Sequence, residues 1–140
     1  VRSSAAKDAK DAKENMSEEE IGRLVVDASM KVHTALGAGL LETIYEACLA
    51  HELIKQGLAV KKQVALPIVY DDLRLDNAFR IDLLVNDKVE VELKAIDNLL
   101  PVHAAQWLSY LKLGKFKLGF LLNFNVVHMR DGIKRMVNGL

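Results

Sequence analysis

Apolar residues return at the helical interval early in the chain. Ile21, Val25, Ala28 and Val32 follow Ser17 and Glu20, which are spaced as a capping box, and together they predict a helix. Gly37-Ala38-Gly39 breaks it. Leu41, Ile44, Tyr45, Cys48, Leu49 and Leu53 lay down a second helical stripe, for which Gly57 is a natural stop. From Val60 the period changes to two: Val64, Leu66, Ile68 and Tyr70 alternate. Pro67 lacks the N–H that a ladder needs, so it puts this strand at an edge or a bulge. Residues 71–76 read as a polar connection into a strand over 78–85, and a hairpin leads to another over 89–95. Pro101 stands in the first turn of a third helix running to Lys112, with Gly114 closing it. Residues 117–124 read as a largely buried strand. The tail from Val126 to Val137 predicts a short hairpin turning at Asp131-Gly132. The expected fold is α/β, with helices flanking a central mixed sheet of about four to six strands.

The 140 residues suit one domain, placed at 17–140, preceded by a polar arm over residues 1–16. The single cysteine, Cys48, has no partner for an internal disulfide, which favours a cytoplasmic setting. No apolar run reaches the length of a membrane span, so no membrane partner is expected. One Cys and four scattered His argue against structural zinc. There is no Gly-x-Ser-x-Gly turn for nucleophilic chemistry, and no Gly-rich loop to cradle a nucleotide. Net charge is zero, which speaks against a binder held to nucleic acid mainly by electrostatics. The charge is uneven, though: residues 1–57 carry 7 basic and 10 acidic groups, and residues 58–140 carry 12 and 9. Lys112, Lys115, Lys117, Arg130, Lys134 and Arg135 supply much of the second basic set and form a candidate phosphate track.

The candidate chemistry lies in Glu90-Val91-Glu92-Leu93-Lys94 and in Asp82. Alternation puts Glu90, Glu92 and Lys94 on one strand face, and Arg80, Asp82 and Leu84 on one face of the strand before. With Asn86-Asp87-Lys88 as a three-residue hairpin loop, Asp82 falls directly opposite Glu92, Cβ atoms roughly 5 Å apart. A two-residue loop would oppose Asp82 to Val91 and break the core pattern. Two such carboxylates repel unless a cation sits between them, and hard oxygen donors suit magnesium or manganese. Lys94, about 6.6 Å along the strand from Glu92, reaches the same water or a phosphate oxygen. Cross-strand salt bridges on a solvated hairpin face account for the same residues without any metal. Glu42 and Glu46 share a helix face. Glu42 is favoured as a site residue, because its turn follows Gly37 and Gly39, which let the helix end approach other backbone. His103, Gln106 and Tyr110 share a face of the third helix, where Gln106 and Tyr110 suit orienting a metal-bound water or Lys94. Trp107 reads as core.

Gly39-Leu40-Leu41-Glu42-Thr43-Ile44-Tyr45 resembles the signature of the Gly-x-x-Glu-x-x-Tyr family of small bacterial and archaeal proteins. Asp82 with Glu92-Leu93-Lys94 is similar to the catalytic pattern of the PD-(D/E)XK nuclease superfamily, to which that family is assigned. The likeness runs from about residue 20 to 138, through Pro101–Gln106, Tyr110-Leu111, Leu121–Phe124 and Gly132–Arg135. It implies a restriction-endonuclease-like αβββαβ core and magnesium-dependent cleavage of nucleic acid, DNA ahead of RNA. It further implies that Asp82 and Glu92 ligate metal, that Lys94 orients or activates the attacking water, and that Glu42 adds a helix-borne acid to the metal site. Gln106 matches the polar residue on the helix after the catalytic strands. Ile81 stands where the superfamily's name-giving proline precedes the aspartate. Two further readings stay open: a non-catalytic nucleic-acid or protein-binding module, and a structural homodimer joined through the second helix or an edge strand.

Overall fold

The computed structural model describes residues 15–140. The expected arm over 1–16 therefore lies outside the described residues, apart from Asn15 and Met16. Helix α1 spans Glu18–Leu36 and α2 spans Glu42–Lys55; strands β1 (Val60–Tyr70), β2 (Leu73–Val85) and β3 (Val89–Lys94) follow. Helix α3 (Pro101–Gly114) leads to β4 (Leu118–Asn123), a 3-10 turn (Met129–Gly132) and β5 (Ile133–Val137). The five strands form one sheet in the order β1-β2-β3-β4-β5, antiparallel throughout except for the parallel β3–β4 pair that the α3 crossover joins. This is the expected α/β arrangement with a mixed sheet. Among the described residues no helix is long and apolar enough to cross a membrane.

The capping box forms as its residues predict: Ser17 Oγ accepts from Glu20 N–H, and the Glu20 carboxylate accepts from Ser17 N–H, each at 3.2 Å. Helix α1 ends at Gly37, whose φ of 72° is left-handed backbone that favours glycine. The stripes of α1 and α2 bury Ile21, Val25, Tyr45, Leu49 and Leu53 against Leu83, Val85, Val91, Leu93, Phe120 and Phe124 on one face of the sheet. Helix α3 covers the other face, packing Trp107 with Phe79, Ile81, Leu84 and Leu121. Each side chain so buried contributes about 1.5–3 kcal/mol. Covered on both faces, β4 is buried along its whole length and carries an unbroken apolar run up to Asn123.

Several expectations are corrected. Residues 73–76 are strand rather than connection: β1 and β2 form a long hairpin turning at Asp71-Asp72, with Tyr70 paired to Leu73. Its outer half extends beyond β3 and is exposed at Val69, Tyr70, Leu73 and Leu75, so no buried face imposes the alternation by which strands are read. Pro67 sits at a register shift in the edge strand β1, as its missing N–H demands. Helix α3 includes Gly114, and Lys115 adopts the left-handed closing conformation (φ 58°) instead. The tail forms no hairpin of its own. Asp131 and Gly132 belong to the 3-10 turn, and β5 pairs back onto β4. Finally, the face shared by Arg80, Asp82 and Leu84 does not exist. Ile81 and Leu84 pack on the α3 side while Leu83 and Val85 pack under α1 and α2, so β2 turns over at Asp82.

Candidate active site

Asn86 and Asp87, both at positive φ, and Lys88 form the three-residue loop between β2 and β3, with Val85 opposite Val89. The ladder continues through Leu84↔Glu90 to Leu83↔Val91, which sets Asp82 and Glu92 next in line. There the strands part. The Asp82 carboxylate enters the gap, and its Oδ2 accepts the Leu93 N–H at 2.9 Å where a neighbouring strand would have supplied a carbonyl. The side chain of Glu92 hydrogen-bonds to Asp82. The two carboxyl groups thus meet as the hairpin register demands, but across a turned-over strand rather than on a regular pleat.

Gln63 causes a matching break in β1. It takes φ 53°, left-handed backbone uncommon for a residue with a side chain. Val60 packs on the α1–α2 side, while Val64, Leu66 and Ile68 pack on the α3 side. The β1–β2 register is the same on either side of this point (Lys62↔Leu83, Val64↔Ile81), so Gln63 faces Asp82 across the break. Its amide donates to Asp82 Oδ1 at 3.1 Å and to both Glu46 oxygens at 3.2 Å. Gln63 is the member of the cluster that sequence reasoning missed, and Glu46 the one it set second to Glu42. Assigning residues 71–76 to a connection concealed the β1–β2 register that sets Gln63 opposite Asp82.

Glu42 enters from the first turn of α2. Burial pushes its carboxyl above 4.5, Asp82 and Glu46 add to the rise, and Lys94 opposes it. Glu92 is pushed further, to about 9, by burial first and then by its hydrogen bond to Asp82 and the Asp82 and Glu42 charges, against Lys94. At neutral pH Glu92 therefore holds a proton. The Gly-x-x-Glu-x-x-Tyr segment is built to hold Glu42 there. Gly39 takes φ 94°, and the buried Tyr45 hydroxyl donates to the Gly37 carbonyl at 2.6 Å and accepts the Leu40 N–H at 3.1 Å. The Tyr45 ring stacks on Phe124, just past the end of β4, with centroids 4.6 Å apart. Phe124 in turn donates its N–H to the Lys94 carbonyl. One aromatic pair thus ties the Glu42 turn to the end of β3.

Gln106 lies on the exposed side of α3 and donates to the Tyr110 hydroxyl at 2.7 Å; Tyr110 stacks on Phe79. His103 Nδ1 accepts the Leu100 N–H and closes the α3 N-terminus. Trp107 is core, as expected. Glu90 does not join the cluster. It is wholly buried beneath α3, both oxygens lack a hydrogen-bond partner, and burial pushes its carboxyl to about 8.

Among the described residues no group of three or more His, Cys, Asp or Glu side chains is set to cage a metal. The donor chemistry fits a different arrangement: two adjoining hard-oxygen carboxyl groups, one held protonated by the other's charge and by burial. Magnesium is commonly bound by one or two carboxylates with water completing its shell, and a cation there would replace the proton on Glu92. No curated protein and no solved structure matches the chain significantly. The model of one protein family matches residues 19–136, which include α2, the Asp82–Glu92 hairpin, α3 and β4, and the chain therefore belongs to the PD-(D/E)XK nuclease superfamily.

Proposed function

We propose that this chain is a metal-dependent nuclease that hydrolyses phosphodiester bonds, with DNA ahead of RNA as substrate. The observation that carries the reading is the half-buried Asp82–Glu92 pair beside Lys94 and Glu42, which is electrostatically costly until a cation enters. Asp82 and Glu92 would hold magnesium or manganese, with Glu42 acting through water. Bound there, such an ion polarises a phosphoryl oxygen and lowers the pKa of a coordinated water. Lys94 orients the attacking water and offsets negative charge developing on the phosphate. Gln63 fixes the rotamer of Asp82, and Gln106 enters as a positioning residue on α3. The finer assignment within the superfamily is the Gly-x-x-Glu-x-x-Tyr family, with residues 17–140 acting as one cytoplasmic domain. Calorimetric titration with manganese tests the site. Uptake by the wild type that is lost in Asp82→Asn supports it; no uptake, or equal uptake by the variant, ends it.

One observation favours an assembly role as a second reading. Leu40, Leu41 and Ile44 form an exposed apolar patch beside Glu42, with Leu41 71% exposed. A homodimer through this face predicts a sedimentation mass that drops with Leu41→Asp. A binding module without catalysis predicts nucleic-acid binding that persists in EDTA and survives Glu92→Gln.

A further inference from the structure

Around Lys94 stand Glu42, Glu46, Asp82 and Glu92, so acidic groups outnumber the one ammonium. Even with a divalent cation bound, such a site attracts a polyanion weakly, and a substrate strand needs cations elsewhere to hold it. The expected track does not supply them all. Val89 pairs with Leu118 and Lys94 with Asn123, so the last turn of α3 with Lys112, and the connection to β4 with Lys115 and Lys117, lie at the opposite end of the parallel pair from Lys94. Arg135 is engaged by Glu19.

At the Lys94 end, the last turn of α1 and the segment after β4 enclose an open cavity of about 570 Å³. Met30, His33, Thr34, Gly37, Val127, His128, Met129 and Arg130 line it, with no carboxylate among them. Its volume falls within the range of about 300–1,000 Å³ usual for ligand sites. Its walls are braced. His33 Nε2 bonds the Val126 carbonyl at 2.8 Å, and Met129 is buried. Gly132 packs so closely on Asn123 that a Cβ would come within 2.0 Å of the Asn123 carbonyl oxygen. The buried Asn123 side chain bonds both Ile96 backbone groups and the Asn125 N–H, which fixes the segments after β3 and β4 to one another. Neutralising the end of α1 is not what the cations are needed for. The His33 carbonyl already accepts the Gly37 N–H, and the Gly37 carbonyl accepts Tyr45.

We propose that this cavity anchors a backbone phosphate of the nucleic-acid strand flanking the scissile bond, with Arg130 and His128 as the donors. The assignment rests on the nuclease reading above and adds where the strand is held. Arg130 offers a planar fork matched to phosphate oxygens, and both residues are exposed at the cavity rim. Such contacts position a strand without reading its sequence.

Fluorescence anisotropy with labelled single-stranded DNA, duplex DNA and RNA, in EDTA so that nothing is cut, tests this. Arg130→Gln is expected to weaken binding about tenfold on every sequence and to lower the slope of log Kd against log salt by about 1. Adding His128→Gln is expected to deepen the loss, and Lys115→Gln, at the far end of the sheet, to leave both quantities unchanged. Wild-type affinity and salt slope in Arg130→Gln, or an equal loss in Lys115→Gln, would overturn the anchor. Cleavage assays with magnesium separate the two ideas. A wild type that cuts while Arg130→Gln binds normally sinks the anchor alone, whereas a wild type that neither binds nor cuts sinks the nuclease reading and the anchor with it.

Discussion

Glu90→Gln is the sharpest perturbation of the fold, because it removes an ionisable group whose only resolved influence is burial. Glu90 is wholly covered and neither oxygen has a partner, so the folded chain keeps it protonated up to about 8 against an ordinary value of 4.5. The folded state then binds more protons than the unfolded state between those values, and stability must fall as pH rises through that window. The stability is fully present below about 4.5 and fully lost above about 8. At about 1.4 kcal/mol per pH unit the loss approaches roughly 5 kcal/mol, an upper figure that water penetration on ionisation would reduce. Glutamine is nearly isosteric and neutral throughout, so the variant lacks this contribution. Glu92 titrates in the same sense in both proteins and cancels in the comparison. Urea unfolding followed by fluorescence of the single tryptophan, at pH 5 and pH 9, reads the difference. The variant should gain several kcal/mol on the wild type between the two conditions. Parallel pH dependences would refute the claim that Glu90 is buried as a neutral acid.

Tyr45→Phe should cost about 1–2 kcal/mol in urea unfolding and lower turnover as well, because the hydroxyl holds the turn that presents Glu42. Gln63→Ala should reduce cleavage about ten- to hundredfold with little change in melting temperature, since Gln63 orients the Asp82 and Glu46 carboxylates from an exposed strand. Gly132→Ala should destabilise by about 1–3 kcal/mol or more in thermal unfolding, because the added methyl meets the Asn123 backbone and not a yielding side chain.

The parts of the fold written in local chemistry were legible. Ser17 and Glu20 mark a helix start, Pro67 marks a bulge in an edge strand, and the hairpin loop aligns Asp82 with Glu92 because slipping it by one residue would expose Val91 and Leu93. What stayed hidden depends on partners distant in sequence. Leu73 to Asp76 belong to a strand held by one neighbour and covered by nothing, so they show no burial pattern. The positive φ of Gln63 in mid-strand leaves no trace in residue type, and with it went the break that turns β2 over at Asp82. Glu90 alternates with Glu92 and Lys94 and reads as one of their polar face, yet α3 closes over it while the two others remain half-buried. Gly114 looked like a helix stop, but its missing side chain serves close packing: a Cβ there would meet Phe116 at 2.5 Å and Glu90 at 3.1 Å.

Whether Asp82, Glu92 and Lys94 form a metal-dependent phosphodiesterase site is tested by cleavage of circular DNA by the purified chain with magnesium, manganese or EDTA, comparing wild type with Glu92→Gln. Glutamine keeps the shape of Glu92 and its hydrogen bond to Asp82 while removing the charge that a cation would need. Wild-type cleavage should require the metal and fall at least a hundredfold in Glu92→Gln (roughly the scale on which removing one transition-state-stabilising group acts), with a melting temperature that is not lowered, since glutamine carries no carboxyl held above its ordinary value by burial. Equal cleavage by both proteins, or cleavage that persists in EDTA, would contradict it.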